Sequence, residues 1–226
     1  MKIVMPNGIL KGKKGIIFGA LDEKSIAWKV AEQASAEGAE FVLTNAPIAL
    51  RMGAINELAK KTNSKVIAAD ATSNEDLENL FTEAQEFLGG KVDFVLHSIG
   101  MSPNVRKKKH YTDLNYDFYH KTLDISALSF HRVLRTAKKL DAINDWGSVV
   151  ALSYIAAQRT FPDYSDMAEA KSVLESIARS FGYHYGTVKK VRINTISQSP
   201  TMTTAGKGIK GFNGFYNYAN EMSPLG

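Results

Sequence analysis

Residues 14–27, with the sequence KGIIFGALDEKSIA, decide the fold because they join a β-rich run to a helical pattern through one glycine. The run KGIIF is followed at once by Gly19, and apolar residues recur at helical spacing from about Ser25. In such a strand–glycine–helix unit, the backbone N–H groups at the helix N-terminus can bind a phosphate. Ser25 could cap the helix and bond that phosphate, or be a purely structural cap. The usual Gly-x-Gly-x-x-Gly fingerprint is absent.

The same alternation of strand and helix patterns continues along the chain. Further strands are predicted at residues 40–44, 65–68, 92–96, 148–152 and 191–196, and helices at 47–61, 73–88, 116–140 and 164–185. Six alternations in 226 residues predict an α/β fold in a single domain, a doubly wound and mostly parallel sheet with helices on both faces. Ligands of such sheets bind beyond the carboxyl ends of the strands. We therefore expect a site at that edge, formed by Gly19, Asp70, Ser98, Tyr154 and residues 199–201.

The composition excludes several classes of protein. Apolar residues make up 44% and charged residues 23%, which is typical of globular domains. No run approaches the about 18 apolar residues of a membrane span, and residues 1–14 lack the features of a signal peptide. We therefore expect no membrane span and a cytoplasmic protein.

The cysteine count and the net charge limit the chemistry and the partners. Because cysteine is absent, disulfides, thiolate catalysis and Cys-based metal sites are excluded, and we assign no metal site. The net charge of +5 suits an anionic partner, such as a phosphate-bearing cofactor or an acidic carrier protein. Nucleic acid is the alternative, but no nucleic-acid-binding motif is present, so we expect none to bind.

Tyr164 and Lys171 are the candidate catalytic pair. Pro162 marks the change from an extended segment to a helix that Tyr164 would open. Seven positions at about 100° per residue return to nearly the same helical face. A lysine near a tyrosine favours the phenolate, which makes the hydroxyl a better proton donor. The alternative is a chance spacing on an ordinary amphipathic helix.

Three strand ends are candidate cofactor contacts. Asp70 could bond an adenine amino group, or its side chain could instead stabilise the turn after the strand. Thr72 or Ser73 would cap the next helix. The fourth strand ends in HSIG, residues 97–100, where a glycine lets the backbone approach a flat ligand or simply allows a turn. The second strand ends in the uncharged residues 44–47, which favours NADH, while Arg51 leaves NADPH possible.

Two further segments can each be interpreted in two ways. The basic run RKKKH at residues 106–110 is either a solvated loop or a docking patch for an acidic partner. Residues 201–211 are rich in Gly and Thr, and the next eleven residues have apolar side chains at helical spacing. Residues 201–222 therefore form either a lid over the site or a surface helix that completes the core.

Several of these motifs together resemble one family. They are Gly-x5-Ser-x-Ala from Gly19, HSIG at 97–100, LSY at 152–154, Tyr-x6-Lys at Tyr164 and Lys171, RIN at 192–194, and SP at 199–200. From about residue 10 to 226 the chain resembles the enoyl-acyl carrier protein reductases of bacterial type II fatty-acid synthesis, a divergent branch of the short-chain dehydrogenase/reductases. The wider superfamily has Tyr-x3-Lys, so the x6 spacing with a second tyrosine upstream is specific.

The resemblance implies reduction of the trans-2 double bond of enoyl thioesters on acyl carrier protein, with NADH as the hydride donor to C3. It assigns Tyr164 to the enolate, Lys171 to the nicotinamide ribose and Tyr154 to the substrate pocket. It also implies a homotetramer and makes residues 201–222 the substrate-binding loop. The cofactor contacts it implies are Gly19, Ser25, Ile26, Asp70, Ala71, Ser98, Gly100, Lys171 and Thr203, and the substrate contacts are Met101, Tyr154 and Tyr164.

One departure and two alternatives accompany this interpretation. Members of the family continue for several dozen residues after the equivalent of residues 223–225, with a helix and a last strand, so we expect these 226 residues to be part of a longer protein. A carbonyl reductase or alcohol dehydrogenase of the same superfamily is one alternative, but it requires Tyr where Met167 stands. A non-catalytic dinucleotide-binding module is the other.

Overall fold

A computed structural model describes residues 6–51, 54–161, 163–209 and 211–224. Within these residues, six strands form one sheet in the order β3-β2-β1-β4-β5-β6, and every neighbouring pair is parallel. This order confirms the predicted doubly wound α/β fold. The strands are β1 (Lys14–Phe18), β2 (Glu40–Asn45), β3 (Lys65–Ala68), β4 (Val92–His97), β5 (Ile143–Tyr154) and β6 (Arg192–Gln198).

Helices cover both faces of the sheet. Because side chains alternate across a strand, the neighbours Ile16 and Ile17 of β1 are both fully buried but belong to opposite core clusters. One cluster packs under α1 and α3, and the other under α4, α7 and α8. The helices of the described residues are α1 (Ile26–Ala36), α2 (Pro47–Leu50), α3 (Ala54–Thr62), α4 (Asn74–Leu88), α5 (Pro103–Arg106), α6 (Tyr116–Leu123), α7 (Ser129–Lys139), α8 (Met167–Lys189) and α9 (Phe212–Met222).

The predicted elements are present, but several boundaries differ: β5 is Ile143–Tyr154 where 148–152 was predicted, β6 is Arg192–Gln198 where 191–196 was predicted, and α8 continues to Lys189 beyond the predicted end at 185. β1 and β3 have the predicted bounds. The predicted helix 47–61 is divided into α2 and α3, and the predicted helix 116–140 has a π-helical turn, Asp124–Leu128, between α6 and α7. The prediction that Tyr164 opens the last long helix is wrong, because α8 begins at Met167. The backbone of Ser165 has a positive φ of 49° and interrupts the helical path.

Some predictions fall on residues outside the described part of the chain. They are the helix entry at Pro162, the middle of the predicted helix at residues 52–53, Lys210 in the predicted lid, and the end of the family's Ser-Pro-Leu segment at residues 225–226. Among the residues that the structure describes, no helix combines the length and the apolar character needed to cross a membrane.

Candidate active site

A cavity of about 770 Å³ opens at the carboxyl ends of the strands. The end of β1, the loops after β3 and β4, the end of β5 and the segment after β6 all contribute to its walls. With the exception of Ser199, the residues assigned to the site from the sequence line this one cavity: Gly19, Ser25, Ile26, Asp70, Ala71, Ser98, Gly100, Met101, Tyr154, Tyr164, Lys171, Pro200, Thr201 and Thr203.

Gly19 is required where β1 meets the end of β4. Its φ is +91°, and a Cβ at this position would lie 2.0 Å from the carbonyl oxygen of Ser98. Both facts exclude a larger residue without backbone movement. The strand–glycine–helix unit therefore brings the backbone of β1 into close contact with the loop after β4, on the cavity wall.

Ser25 has a different role from the predicted helix cap. Its hydroxyl donates to the carbonyl oxygen of Asp22 at 2.8 Å and accepts from the N–H of Leu21 at 3.2 Å. It makes no side-chain hydrogen bond to α1. Ser25 thus occupies the predicted N-cap position of α1, but its hydroxyl closes the loop after Gly19 and does not cap the helix.

Asp70 supports the turn after β3. Its Oδ1 accepts hydrogen bonds from the N–H of Thr72 at 2.9 Å and from the hydroxyl of Thr72 at 2.7 Å. Ser73, not Thr72, caps α4, since its Oγ accepts from the N–H of Asp76. The predicted role of Asp70 in stabilising the turn is confirmed. Asp70 also lies in the cavity wall, and its contact with adenine stays a prediction.

Lys171 is buried beneath the cavity. Its Nζ donates to the carbonyl oxygen of Leu152, at the end of β5, at 2.7 Å. Burial lowers the pKa of Lys171 to about 8. A Cβ at Gly100 would lie 3.7 Å from this Nζ, so the glycine leaves the ammonium open to a ligand.

Tyr164 is mostly buried beside Tyr154, with ring centroids 5.0 Å apart. Burial, and secondarily the neighbouring Tyr154, raises the pKa of Tyr164 well above its usual value. Burial also raises the pKa of Tyr154. The expectation that Lys171 favours the phenolate is therefore wrong, because desolvation dominates at Tyr164. The phenol keeps its proton at neutral pH and is a hydrogen-bond donor.

A chain of aromatic contacts runs from this tyrosine pair to α9. The ring of Tyr154 lies 5.2 Å from that of Phe161, which lies 5.4 Å from the ring of Phe215 in an edge-on arrangement. Such contacts contribute about 0.5–1.5 kcal/mol beyond area burial. The segment after β6 also reaches the loop after β1, since the hydroxyl of Thr204 donates to Asp22 at 2.6 Å.

His97 lies behind the site at the end of β4. It is completely buried, and its Nε2 lies 2.9 Å from the hydroxyl of Ser129. Burial, followed by the positive charge of Lys171, lowers the pKa of His97 to about 3. The imidazole is therefore neutral at pH 7, and its packing between Phe18 and Phe130 indicates a structural role.

Some residues of the cavity wall belong to segments singled out in the sequence, such as Asn45 in 44–47 and Phe215 in 201–222, and others were not predicted. Asn45 lies at the end of β2, and its side chain donates to the carbonyl oxygen of Ala20. Arg106 and Lys121 bring positive charge to the wall, and Phe161 and Phe215 bring aromatic surface. The basic run at 106–110 was a signal for Arg106, but no pattern in the sequence placed Lys121 or Phe161 there.

The sheet order, the glycine at the end of β1, and a buried tyrosine and lysine on one cavity define a class. They are the features of a dinucleotide-dependent oxidoreductase of the short-chain dehydrogenase/reductase type. A family profile described as Enoyl-(Acyl carrier protein) reductase matches residues 19–226. The chain belongs to the enoyl-acyl carrier protein reductase family, and the resemblance stated from the motifs is confirmed.

Individual relatives agree with this assignment. The chain is 34% identical over 222 residues to "Enoyl-[acyl-carrier-protein] reductase [NADH] FabI" of Rickettsia bellii, covering 98% of this chain and 83% of the relative. A crystal structure of the FabI–NADH complex from Alistipes finegoldii has 66% identity and a TM-score of 0.95, over 97% of this chain and 77% of that one. The Bacillus cereus enoyl-acyl carrier protein reductase, solved with NADP+ and an indole naphthyridinone, has 30% identity and a TM-score of 0.84, over 96% and 83%.

Proposed function

We propose that this protein reduces the trans-2 double bond of enoyl-acyl carrier protein thioesters with NADH, as a step of fatty-acid elongation. The observation that carries the proposal is the convergence of Tyr154, Tyr164 and Lys171 on one cavity, in a chain of the enoyl reductase family. The relatives from Rickettsia bellii and Alistipes finegoldii are both described with NADH.

The residues present fit a dinucleotide. Gly19 leaves no room for a side chain between the β1 turn and Ser98, so backbone groups line the cavity at the entrance to α1. Ser25, Ile26 and Thr203 would lie along the pyrophosphate side, and Asp70 and Ala71 on the adenine side. Ser98 and Gly100 would flank the nicotinamide, with the ammonium of Lys171 donating to the ribose hydroxyls.

The bound cofactor supplies the hydride that adds to C3 of the enoyl thioester. Tyr164 donates a hydrogen bond to the thioester oxygen, where negative charge develops, and then provides the proton for the enolate. Because burial raises its pKa, the phenol is protonated at neutral pH but is a weaker acid, so its hydrogen bond to the developing charge is its main contribution. A donor aimed at developing charge in a dry site contributes about 3–4 kcal/mol of transition-state stabilisation. Tyr154 and Met101 line the space for the substrate.

NADH is the preferred cofactor in this proposal. The cavity wall at the end of β2 consists of Asn45, Ala46, Ile48 and Ala49, which carry no charge. A 2′-phosphate needs a basic partner at this position. Arg51, which left NADPH possible in the sequence analysis, is not among the described residues that line the cavity.

The substrate carrier and the lid complete the proposal. Residues 201–222 are the substrate-binding loop, which is supported by the Phe161–Phe215 contact and by the Thr204–Asp22 hydrogen bond. The basic run 106–110 is exposed, and Arg106 lies on the cavity wall, which suits docking of an acidic carrier protein at the mouth. A homotetramer and a cytoplasmic location are implied by the family resemblance and are part of the proposal.

An assay of initial rates tests the function. Purified protein is mixed with NADH or NADPH and with crotonyl or acetoacetyl thioester. Rapid oxidation of NADH with the crotonyl thioester, and little with the acetoacetyl thioester, is expected. The reverse pattern would establish the carbonyl reductase alternative, and binding of NADH without turnover of either substrate would establish the non-catalytic alternative.

A further inference from the structure

Asp166 is a buried carboxylate that the proposed chemistry does not use. Its exposed fraction is 0%. It stands two residues after Tyr164 and immediately before α8, the helix that contains Lys171, but its side chain makes no capping hydrogen bond to that helix. Asp166 is also not among the described residues that line the cavity. Its contacts are instead with three polar side chains between residues 102 and 122.

These side chains hold both oxygens of the carboxylate. Ser102 donates from Oγ to Oδ1 at 2.6 Å, and Asn104 donates from Nδ2 to Oδ2 at 2.8 Å. The hydroxyl of Thr122 lies 2.8 Å from Oδ2 and also 2.8 Å from the carbonyl oxygen of Phe118. Because this hydroxyl has one hydrogen, it donates to one acceptor at a time. Ser102 and Asn104 are therefore the constant donors.

Both constant donors are themselves fixed. The Oγ of Ser102 accepts from the N–H of Val105 at 3.0 Å and caps α5. The amide of Asn104 bonds the backbone of Asn115 twice, with its Nδ2 donating to the carbonyl oxygen and its Oδ1 accepting from the N–H, both at 3.1 Å. Asp166 is thus joined to a hydrogen-bonded unit formed by α5 and the segment before α6.

The residue between Tyr164 and Asp166 is in an unfavourable conformation. Ser165 has a φ of 49°, which non-glycine residues rarely adopt. It is also buried, and within the described residues its Oγ has no hydrogen-bond partner. The serine side chain therefore makes no hydrogen bond that would offset the cost of the positive φ. Such backbone strain persists only where the surroundings hold it in place. Backbone hydrogen bonds from the N–H groups of Met167 and Ala168 to the carbonyl oxygens of Tyr164 and Ser165 fix the C-terminal side of the turn. The side-chain contacts beside it are the ring of Tyr154 on Tyr164 and the donors on Asp166.

We propose that Asp166 is a positioning residue for the enoyl reduction. Through Ser102 and Asn104 it holds the left-handed turn at Ser165, and this turn sets the direction in which the Tyr164 hydroxyl points. The inference rests on the proposed function, because it assigns Asp166 a part in that same reaction. Without these hydrogen bonds the turn relaxes and the hydroxyl moves away from the substrate oxygen. The cofactor contacts at the strand ends remain, and Lys171 keeps its hydrogen bond to the carbonyl oxygen of Leu152.

The experiment compares Asp166→Ala, Asp166→Asn and Ser102→Ala with Glu37→Ala. Glu37 is a matched control outside the cavity wall: it is buried, and its Oε2 accepts from the N–H groups of Asn7 and Ile9 at 3.1 and 3.2 Å. For each variant kcat and KM for crotonyl-CoA, the Kd for NADH and the Tm are measured. The primary isotope effect with NADH deuterated at the transferred position is also measured, because it reports how far hydride transfer limits the rate.

We expect Asp166→Ala to lower kcat about 10- to 100-fold, since a small misplacement of a reacting group can cost about 100-fold. The Kd for NADH stays within about twofold and the isotope effect rises, since the less stabilised enolate slows hydride transfer. Asp166→Asn and Ser102→Ala show the same changes more weakly. Glu37→Ala should have a lower Tm, but its kcat and isotope effect should equal those of the wild type.

The inference is overturned if the Asp166 variants keep the wild-type kcat and isotope effect, or lose kcat only in proportion to their folded fraction. If Asp166→Ala does not fold, the same criteria apply to Asp166→Asn and Ser102→Ala. Wild-type protein without enoyl reduction would instead refute the proposed function. An active wild type that Tyr164→Phe impairs and Asp166→Ala leaves intact would refute this inference alone.

Discussion

Lys171 donates a hydrogen bond from Nζ to the carbonyl oxygen of Leu152 at 2.7 Å, so the end of β5 holds the ammonium beneath the cavity. Burial lowers the pKa of Lys171 to about 8. A lysine is charged below its pKa. The ammonium proposed to bind the nicotinamide ribose is therefore present at pH 7 and is lost as the pH rises through about 8.

The affinity for NADH should follow this titration. Between pH 7 and pH 9 we expect the Kd of NADH to rise up to about tenfold, because about one molecule in ten keeps the charge one unit above the pKa. Fluorescence titration from pH 6.5 to 9.5 measures this. Lys171→Met should bind NADH more weakly and without the pH dependence, whereas Lys65→Met, on the surface, should behave as the wild type. A flat wild-type profile would contradict the assignment.

Removing the hydroxyl of Tyr164 should separate catalysis from cofactor binding. We expect Tyr164→Phe to lower kcat about 100- to 1000-fold, which is the cost of losing a donor to developing charge. The Kd for NADH and the Tm should change little, because the ring and its contact with Tyr154 remain. Steady-state kinetics with crotonyl-CoA and an NADH titration check both points. Unchanged kcat would remove Tyr164 from the mechanism.

The close approach at Gly19 should be intolerant of a methyl group. Gly19→Ala places a Cβ 2.0 Å from the carbonyl oxygen of Ser98 and keeps an unfavourable φ of +91°. We expect a Tm lower by roughly 5 °C or more and a weaker affinity for NADH. Gly182→Ala is the control, because its Cβ would meet only the carbonyl oxygen of Ile193 at 3.9 Å. Equal Tm values for the two variants would show that the turn adapts.

The basic run 106–110 should matter only for the carrier-bound substrate. Lys108→Glu/Lys109→Glu reverses two exposed charges, so we expect the KM for enoyl-acyl carrier protein to rise about tenfold at low salt and less at high salt. The KM for an enoyl N-acetylcysteamine thioester, which has no carrier, should not change. The control Lys60→Glu/Lys61→Glu makes the same charge change on α3. If both double variants act alike, the run is merely a solvated loop.

The sheet and the site edge could be predicted from local patterns. The runs that became β1 and β3 are apolar and bounded by turn residues, so their bounds were readable. Because parallel strands end at one edge, residues as distant in sequence as Gly19, Asp70 and Tyr154 could be assigned to one cavity. The motifs of the family resemblance added Met101 and Thr203, which no pattern alone would have selected.

What could not be predicted depends on long-range contacts. Seven-residue spacing placed Tyr164 and Lys171 on one helix, but Ser165 leaves the helical region and α8 starts only at Met167. The donors that hold this turn, such as Ser102, lie about sixty residues earlier in the chain. Likewise, the raised pKa of Tyr164 arises from burial, which the spacing of charged residues does not reveal.

The central claim is that a hydride reaches C3 of an enoyl thioester in the cavity lined by Tyr164 and Lys171. The most direct test is the product formed from crotonyl thioester and NADH deuterated at the transferred position, analysed by NMR. We predict a butyryl thioester with one deuterium at C3, formed by the wild type and nearly absent with Tyr164→Phe. Deuterium at the carbonyl carbon, or no reduced product from the wild type, would contradict the account.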